Sequence, residues 1–332
     1  MKLKSTWGLV FAAVALLALV VAGPVPADAK TLKIAFVAPP PVWGPVADYY
    51  AKQVAQRASG LEIKSFGGGQ LGPLPQNFAE IKMGKLDMML ADSGVMMLPK
   101  GGKPFSVLFA PYTFNSQAHL RKYFASDLFK KMLAQTEKEA GFKFLGLVGD
   151  RAPRLISTSN RKVVAPADMK GLKLRVPLTP PIKMAMEYWG ATPIPLSAAE
   201  LYMAMKQGTV DGQDNGFDAL YGAKFYEVQK YVSPIDYIRS ALMVIVSTKT
   251  WNKLDPAQQK ALLEACGPTD KWATGRNDQI VAKSIKGVQE KGMILVKPDL
   301  AAFRSSAAKV VKEKMDGKLW PAGLYDKIKA LD

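Results

Sequence analysis

One unit occurs twice in this chain, and it constrains the fold more than any other feature. Phe78-Ala-Glu-Ile-Lys-Met-Gly-Lys-Leu-Asp87 reads as a helix stopped at Gly84 and turned into a strand. Leu201-Tyr-Met-Ala-Met-Lys-Gln-Gly-Thr-Val-Asp211 repeats the plan with Gly208 at the same place. A glycine there accepts the left-handed conformation that ends a helix and lets the chain reverse. Helix–Gly–strand is a common α/β connection, and its recurrence so far along the chain suggests two similar lobes.

The surrounding pattern agrees. Leu32, Ile34 and Phe36 alternate with Lys33 and Ala35, as in a strand. Val46–Ala58 places Val46, Ala47, Tyr50, Ala51, Val54 and Ala55 on one helical stripe, with Gly60 expected to end the helix. Strands are expected over Leu61–Phe66 and Ala241–Ser247. The capping box Ser197-Ala-Ala-Glu200 is expected to start a helix, and so are Asp255 and Pro256 as N-cap and first helical residue. Short apolar runs alternating with amphipathic helices define an α/β protein.

The first residues are of another kind. Lys2 and Lys4 precede an apolar run from Trp7 to Val21; Gly23, Pro24 and Pro26 follow, then Ala27-Asp28-Ala29. That order predicts a secretory signal peptide over residues 1–29, cleaved to leave a chain beginning at Lys30. The apolar run is too short for a spanning helix, which needs roughly 20 residues. No cysteine near the cleavage point supports a lipid anchor. The single cysteine, Cys266, forms no internal disulfide and is expected to be a small buried hydrophobe. The formal charge of +17 comes from dispersed lysines rather than a basic block. With export it argues for a soluble basic surface, of a kind that can also steer anions, and against a nucleic-acid partner.

Catalytic constellations are missing. The single histidine, His119, lies in a stretch expected to be a surface helix, so neither a histidine-rich metal site nor a histidine-based triad is supported. Gly67, Gly69 and Gly72 have dinucleotide-loop spacing but run into Pro73 instead of a helix, which leaves a flexible connection as the better account. Asp211 and Asp214, flanked by Gly212 and Gly216, are expected to lie in a tight turn. Neither an enzyme activity nor a cofactor is predicted. Recognition chemistry is more visible: Leu172, Leu174 and Val176 alternate with Lys173 and Arg175, and Pro177 ends the strand. A guanidinium at the carboxyl end of a strand sits where α/β sheets bind ligands and offers a planar fork to a carboxylate.

At this point a family resemblance is evident. Ala167-Asp-Met-Lys-Gly-Leu-Lys-Leu-Arg-Val-Pro177, Gly190-Ala-Thr-Pro-Ile-Pro195, Glu200-Leu-Tyr202 and Gly208-Thr-Val-Asp-Gly-Gln-Asp-Asn215 closely resemble the DctP-type periplasmic receptors of TRAP transporters. Lys224–Tyr231, Gly69–Gly72 and Met83–Met88 fit the same family, so the resemblance covers essentially the whole chain after the leader. It implies a two-lobed α/β periplasmic binding protein with a cleft between the lobes. One lobe would comprise residues 30–150 plus about 240–280, the other 151–239 plus about 281–332. The implied function is capture of a small organic acid and its delivery to the membrane permease subunits of a TRAP transporter. By motif position, Arg175 would make the paired contact with the ligand carboxylate. Arg154, with Arg161 seven residues on, matches a second family arginine, and Asn215 is the third carry-over. The chain departs from relatives that bind polyhydroxylated acids at Leu178, at Ala198 and over Pro39-Pro40-Pro41-Val42-Trp43. These changes hint at a less polar or differently shaped ligand, with Trp43 as a wall of the pocket. The identity of the carboxylate stays open.

Overall fold

The computed structural model describes residues 30–332; the expected signal peptide lies outside the described residues. Among the described residues eleven strands form two sheets. They are β1 (Lys30–Ala35), β2 (Leu61–Phe66), β3 (Met88–Asp92), β4 (Phe142–Asp150), β5 (Leu155–Thr158), β6 (Lys173–Val176), β7 (Thr192–Pro195), β8 (Gly212–Asn215), β9 (Tyr231–Ser233), β10 (Ala241–Ser247) and β11 (Ile294–Leu295). The first sheet is ordered β2-β1-β3-β10-β4 and the second β11-β9-β5-β8-β6-β7. Read from β7 inwards, the second sheet repeats the plan of the first. In each, a central strand pairs in parallel with two neighbours, β1 with β2 and β3, β6 with β7 and β8. An antiparallel strand then follows, β10 against β3 and β5 against β8.

The repeated sequence unit explains part of this likeness. Gly84 and Gly208 both have positive φ, 72° and 71°. The aspartate that follows each glycine does the same work in each sheet. Asp87 accepts the backbone N–H of Lys33 at 2.9 Å, and Asp211 that of Lys173 at 2.8 Å, each tying the start of one parallel strand to its neighbour.

The antiparallel strands are exchanged: β10 reaches the first sheet from beyond the second, and β5 the second from the first. The chain therefore crosses between sheets at 151–154 and again at 234–240. The crossings run side by side, with Arg151 N donating to Ser240 O at 3.1 Å and Arg154 N to Ile238 O at 2.9 Å. A third connection is the helix Cys266–Glu290, which packs on β4 and on the helix Phe217–Gly222 of the other lobe. It presses closely because β4 carries glycines beneath it. A Cβ on Gly149, where φ is 150°, would lie 2.7 Å from that of Ala273.

Apolar residues of the first sheet alternate between two cores. Leu32, Ile34, Leu90 and Val244 face one, Ala35, Met89, Ala91 and Ile245 the other, so both faces are covered and strands such as Ala241–Ser247 are buried throughout. The second of these cores continues beneath the second sheet through Leu174, Val176 and Tyr237. Among the described residues no helix is long and apolar enough to cross a membrane.

Several local expectations need correction. The first helix spans Pro40–Ala55, beginning in the proline run because proline suits the first helical turn, where its missing N–H needs no partner. It ends before Gly60, which serves the turn into β2. Ser197 and Glu200 do bond, Glu200 accepting the Ser197 backbone N–H at 3.0 Å, but the helix proper starts only at Leu201. His119 is fully buried: its Nε2 lies 2.7 Å from the Ile328 carbonyl and its Nδ1 accepts the Asn115 N–H. Gly212–Asn215 is a central strand, not a tight turn; its backbone pairs with β5 and β6, which the flanking glycines do not reveal.

Candidate functional site

The carboxyl ends of the parallel strands of both sheets open on one cleft of about 510 Å³. Residues just past β1 (Val37, Ala38) and at the end of β3 (Asp92) line one wall. The other wall is built past β6 (Pro177, Leu178), past β7 (Leu196) and at the end of β8 (Asn215). The floor is the first crossing segment, which contributes Arg151 and Arg154. Trp43, Arg154, Arg175 and Asn215 all line this cleft.

Arg151, Arg154 and Arg175 are 5%, 4% and 4% exposed, so each charge must be met within the protein or by a ligand. Arg151 pairs with Asp92, whose carboxylate also accepts from Ser240 Oγ at 2.8 Å and from Gly94 N at 2.9 Å. Its guanidinium lies 5.2 Å from the Trp43 ring centroid, a cation–π contact that fixes the indole against the cleft. Arg154 donates from Nε to Asp214 Oδ2 at 2.6 Å and from Nη2 to the Asp214 carbonyl at 2.9 Å. Asp214 also accepts from the Tyr237 hydroxyl. Burial works against both charges of the Arg154–Asp214 pair, yet each partner overrides it: Arg154 is held above its usual pKa and Asp214 below its ordinary 3.8.

Arg175 differs. Its Nε and Nη2 donate to one backbone carbonyl, Leu196 O, at 3.0 and 2.8 Å. Among the described residues no carboxylate lies within ion-pair distance of it. Burial above all, and then the repulsion of Arg154, push its pKa down to about 10, with Asp214 pulling the other way. A guanidinium keeps its proton at neutral pH all the same. Three buried guanidiniums thus face two buried carboxylates, with the exposed Glu200 as a third acid at the cleft mouth, and Arg175 is the one arginine of the three without an ion-pair partner among the described residues. Asn215 donates its Nδ2 to Gln213 Oε1 at 2.8 Å, and its Oδ1 has no side-chain partner among the described residues. The arrangement suits one anion held by charge-assisted bonds.

Arg151 and Asp92 are members of this cluster that the sequence reading passed over. Arg151 sits in Asp150-Arg-Ala-Pro-Arg154, between strands and outside any periodic element, and Asp92 ends the apolar run Met88–Ala91. The usable signal was a lone acid at the carboxyl end of a strand, the same position that drew attention to Arg175. Arg161, the outer partner in the family spacing, lies elsewhere and donates to the Lys170 carbonyl at 2.7 Å. Gly69 and Gly72 belong to the cleft rim. Among the described residues no cluster of three or more His, Cys, Asp or Glu is placed to hold a metal ion.

Two sheets of matching plan, joined by paired crossings and enclosing a charged cleft, define a two-lobed solute receptor. The sequence matches the DctP family, described as bacterial extracellular solute-binding protein, family 7, over residues 36–318, and the chain belongs to that family. It is similar to the sialic acid-binding periplasmic protein SiaP of Vibrio cholerae, at 30% identity over 76% of this chain and 78% of that one. The TRAP periplasmic solute-binding protein of Ochrobacterium anthropi, solved with bound L-fuconate, is 26% identical with a TM-score of 0.84, covering 91% of this chain and 98% of that one. A counterpart from Roseobacter denitrificans, solved with 3-deoxy-D-manno-oct-2-ulosonic acid, is 27% identical with a TM-score of 0.81, covering 92% and 100%. Members of the family are extracytoplasmic binding proteins rather than enzymes, and serve as receptors for TRAP transporters.

Proposed function

We propose that this chain is the periplasmic receptor of a TRAP transporter, exported by residues 1–29, and that it holds a small organic acid by its carboxylate and presents it to the permease subunits. The observation that carries this reading is the buried guanidinium of Arg175, whose hydrogen-bond partner is a neutral carbonyl in a cleft whose other two arginines are already paired. Arg175 and Arg154 each keep an Nη1 amino group without a side-chain or backbone partner among the described residues. In this reading the two groups share the ligand carboxylate, Asn215 Oδ1 takes a donor beside it, and Trp43 walls the pocket. The proposed lobes, 30–150 with about 240–280 and 151–239 with about 281–332, part within the crossing segments.

Capture follows from the charge. A carboxylate entering the cleft supplies the counter-ion that Arg175 lacks, and closure around the pair excludes water, which strengthens charge-assisted bonds. Contact with both walls gives the ligand a differential affinity for the closed state, without which closure would not follow binding. Calorimetry with a panel of organic acids tests this. Arg175→Ala is expected to weaken binding at least tenfold, a loss of about 1.4 kcal/mol. Unchanged affinity in a folded variant would remove Arg175 from the site. Bound acid is expected to be recovered chemically unaltered, and turnover by the purified protein would replace the receptor reading with an enzymatic one.

A further inference from the structure

Beyond the anchor, the cleft is built almost entirely of hydrocarbon. Val95, Leu98 and Phe109 face it from one lobe; Leu178, Ala198 and Phe225 face it from the other, with Trp43 beside the arginines. Leu178, 43% exposed, adds a further apolar side chain at the rim.

The polar groups in the same cleft are mostly engaged by the protein itself. Asp92 is saturated by Arg151, Ser240 and Gly94. Ser197 and Glu200 bond to each other, and the Asn215 amide nitrogen to Gln213. Apart from the arginine amino groups, the unpartnered set is short. Among the side chains it comprises Trp43 Nε1, Asn215 Oδ1, the second carboxylate oxygen of Glu200, the buried hydroxyl of Thr179 and Nε of Arg151.

These groups can serve a carboxylate and a few polar atoms next to it. They cannot serve a hydroxyl on every carbon, because each hydroxyl brings a donor and two acceptor sites, and burying them unmet is unfavourable. A second carboxylate fares no better. Arg151 and Arg154 already hold Asp92 and Asp214, and Glu200 at the mouth adds negative charge. We infer that the ligand is a monocarboxylate with a hydrocarbon body, aliphatic or aromatic, rather than a polyhydroxylated acid or a dicarboxylate. The inference rests on the carboxylate-receptor reading above and narrows it.

The test is calorimetric titration of the intact purified protein at several temperatures. The probes are 3-phenylpropanoate, 4-methylpentanoate, L-fuconate, succinate and the uncharged 3-phenylpropanamide. At least one hydrocarbon acid is expected to bind tenfold or more tighter than L-fuconate and succinate, with the negative heat-capacity change that marks apolar burial. Equal or tighter binding of L-fuconate or succinate overturns the inference while leaving a carboxylate receptor in place. Amide binding as tight as that of its acid, or no acid binding at all, overturns the carboxylate reading beneath it.

Discussion

Arg175 carries a charge that the protein buries without neutralising, and such a charge destabilises the ligand-free fold. Replacing it with a similarly shaped apolar side chain relieves that penalty. Arg175→Met is therefore expected to stabilise the empty protein by about 1 kcal/mol or more, while abolishing stabilisation by any acid. Urea unfolding with and without ligand reads both effects, and a less stable empty variant would contradict the unpaired-charge account. The Arg154–Asp214 pair has the opposite logic. Asp214→Asn leaves Arg154 buried without its carboxylate and is expected to cost about 3–5 kcal/mol. Because Asp214 titrates below its ordinary 3.8 in the folded state, its contribution is fully present above that value and lost as pH falls below it. The variant should accordingly lose part of the decline in stability expected of the parent as pH falls below 3.8. Arg175 was visible in the sequence because strand alternation and Pro177 fixed where it lies. Arg151 was not, since its importance arises from Asp92, brought to it by the sheet and not by sequence spacing.

The element with the least tolerance is β4 under the helix Cys266–Glu290. Gly149 combines a positive φ with a hypothetical Cβ contact of 2.7 Å to Ala273, so Gly149→Ala meets both backbone strain and overpacking. An expected loss of about 2–4 kcal/mol follows, measured by thermal or chemical unfolding; a loss under about 0.5 kcal/mol, typical of a surface change, would mean the helix can step back. Strands with clean patterns were legible from sequence, β2 and β10 to the residue. Helix starts were less so. The helix expected from Val46 begins in the prolines before Trp43, at Pro40, and the Ser197–Glu200 pair lies just ahead of a regular helix that begins at Leu201. In each case the local chemistry was identified and its position in the element was decided by packing.

At the scale of the molecule, the receptor should gain stability from its ligand. A native-state ligand at a hundred times its Kd contributes about 2.7 kcal/mol, so the melting temperature is expected to rise with the logarithm of ligand concentration. Differential scanning fluorimetry checks this, and an acid that binds in calorimetry yet leaves the melting temperature fixed would indicate equal affinity for the unfolded chain. The two-lobed plan could be glimpsed in the repeated helix–Gly–strand–Asp unit, since local geometry writes itself into neighbouring residues. The exchange of β5 and β10 between sheets could not, because antiparallel partners distant in sequence leave no local spacing to read.

The lone guanidinium also bears on what an empty receptor tells its transporter. Shutting the cleft around Arg175 without a counter-ion would strip water from a charge and give nothing back, so an unloaded molecule resists the shape that announces cargo. If Arg175 holds the acid as proposed, the same side chain suppresses false announcements. In the proposed role, a permease sampling many receptors would then seldom engage empty ones.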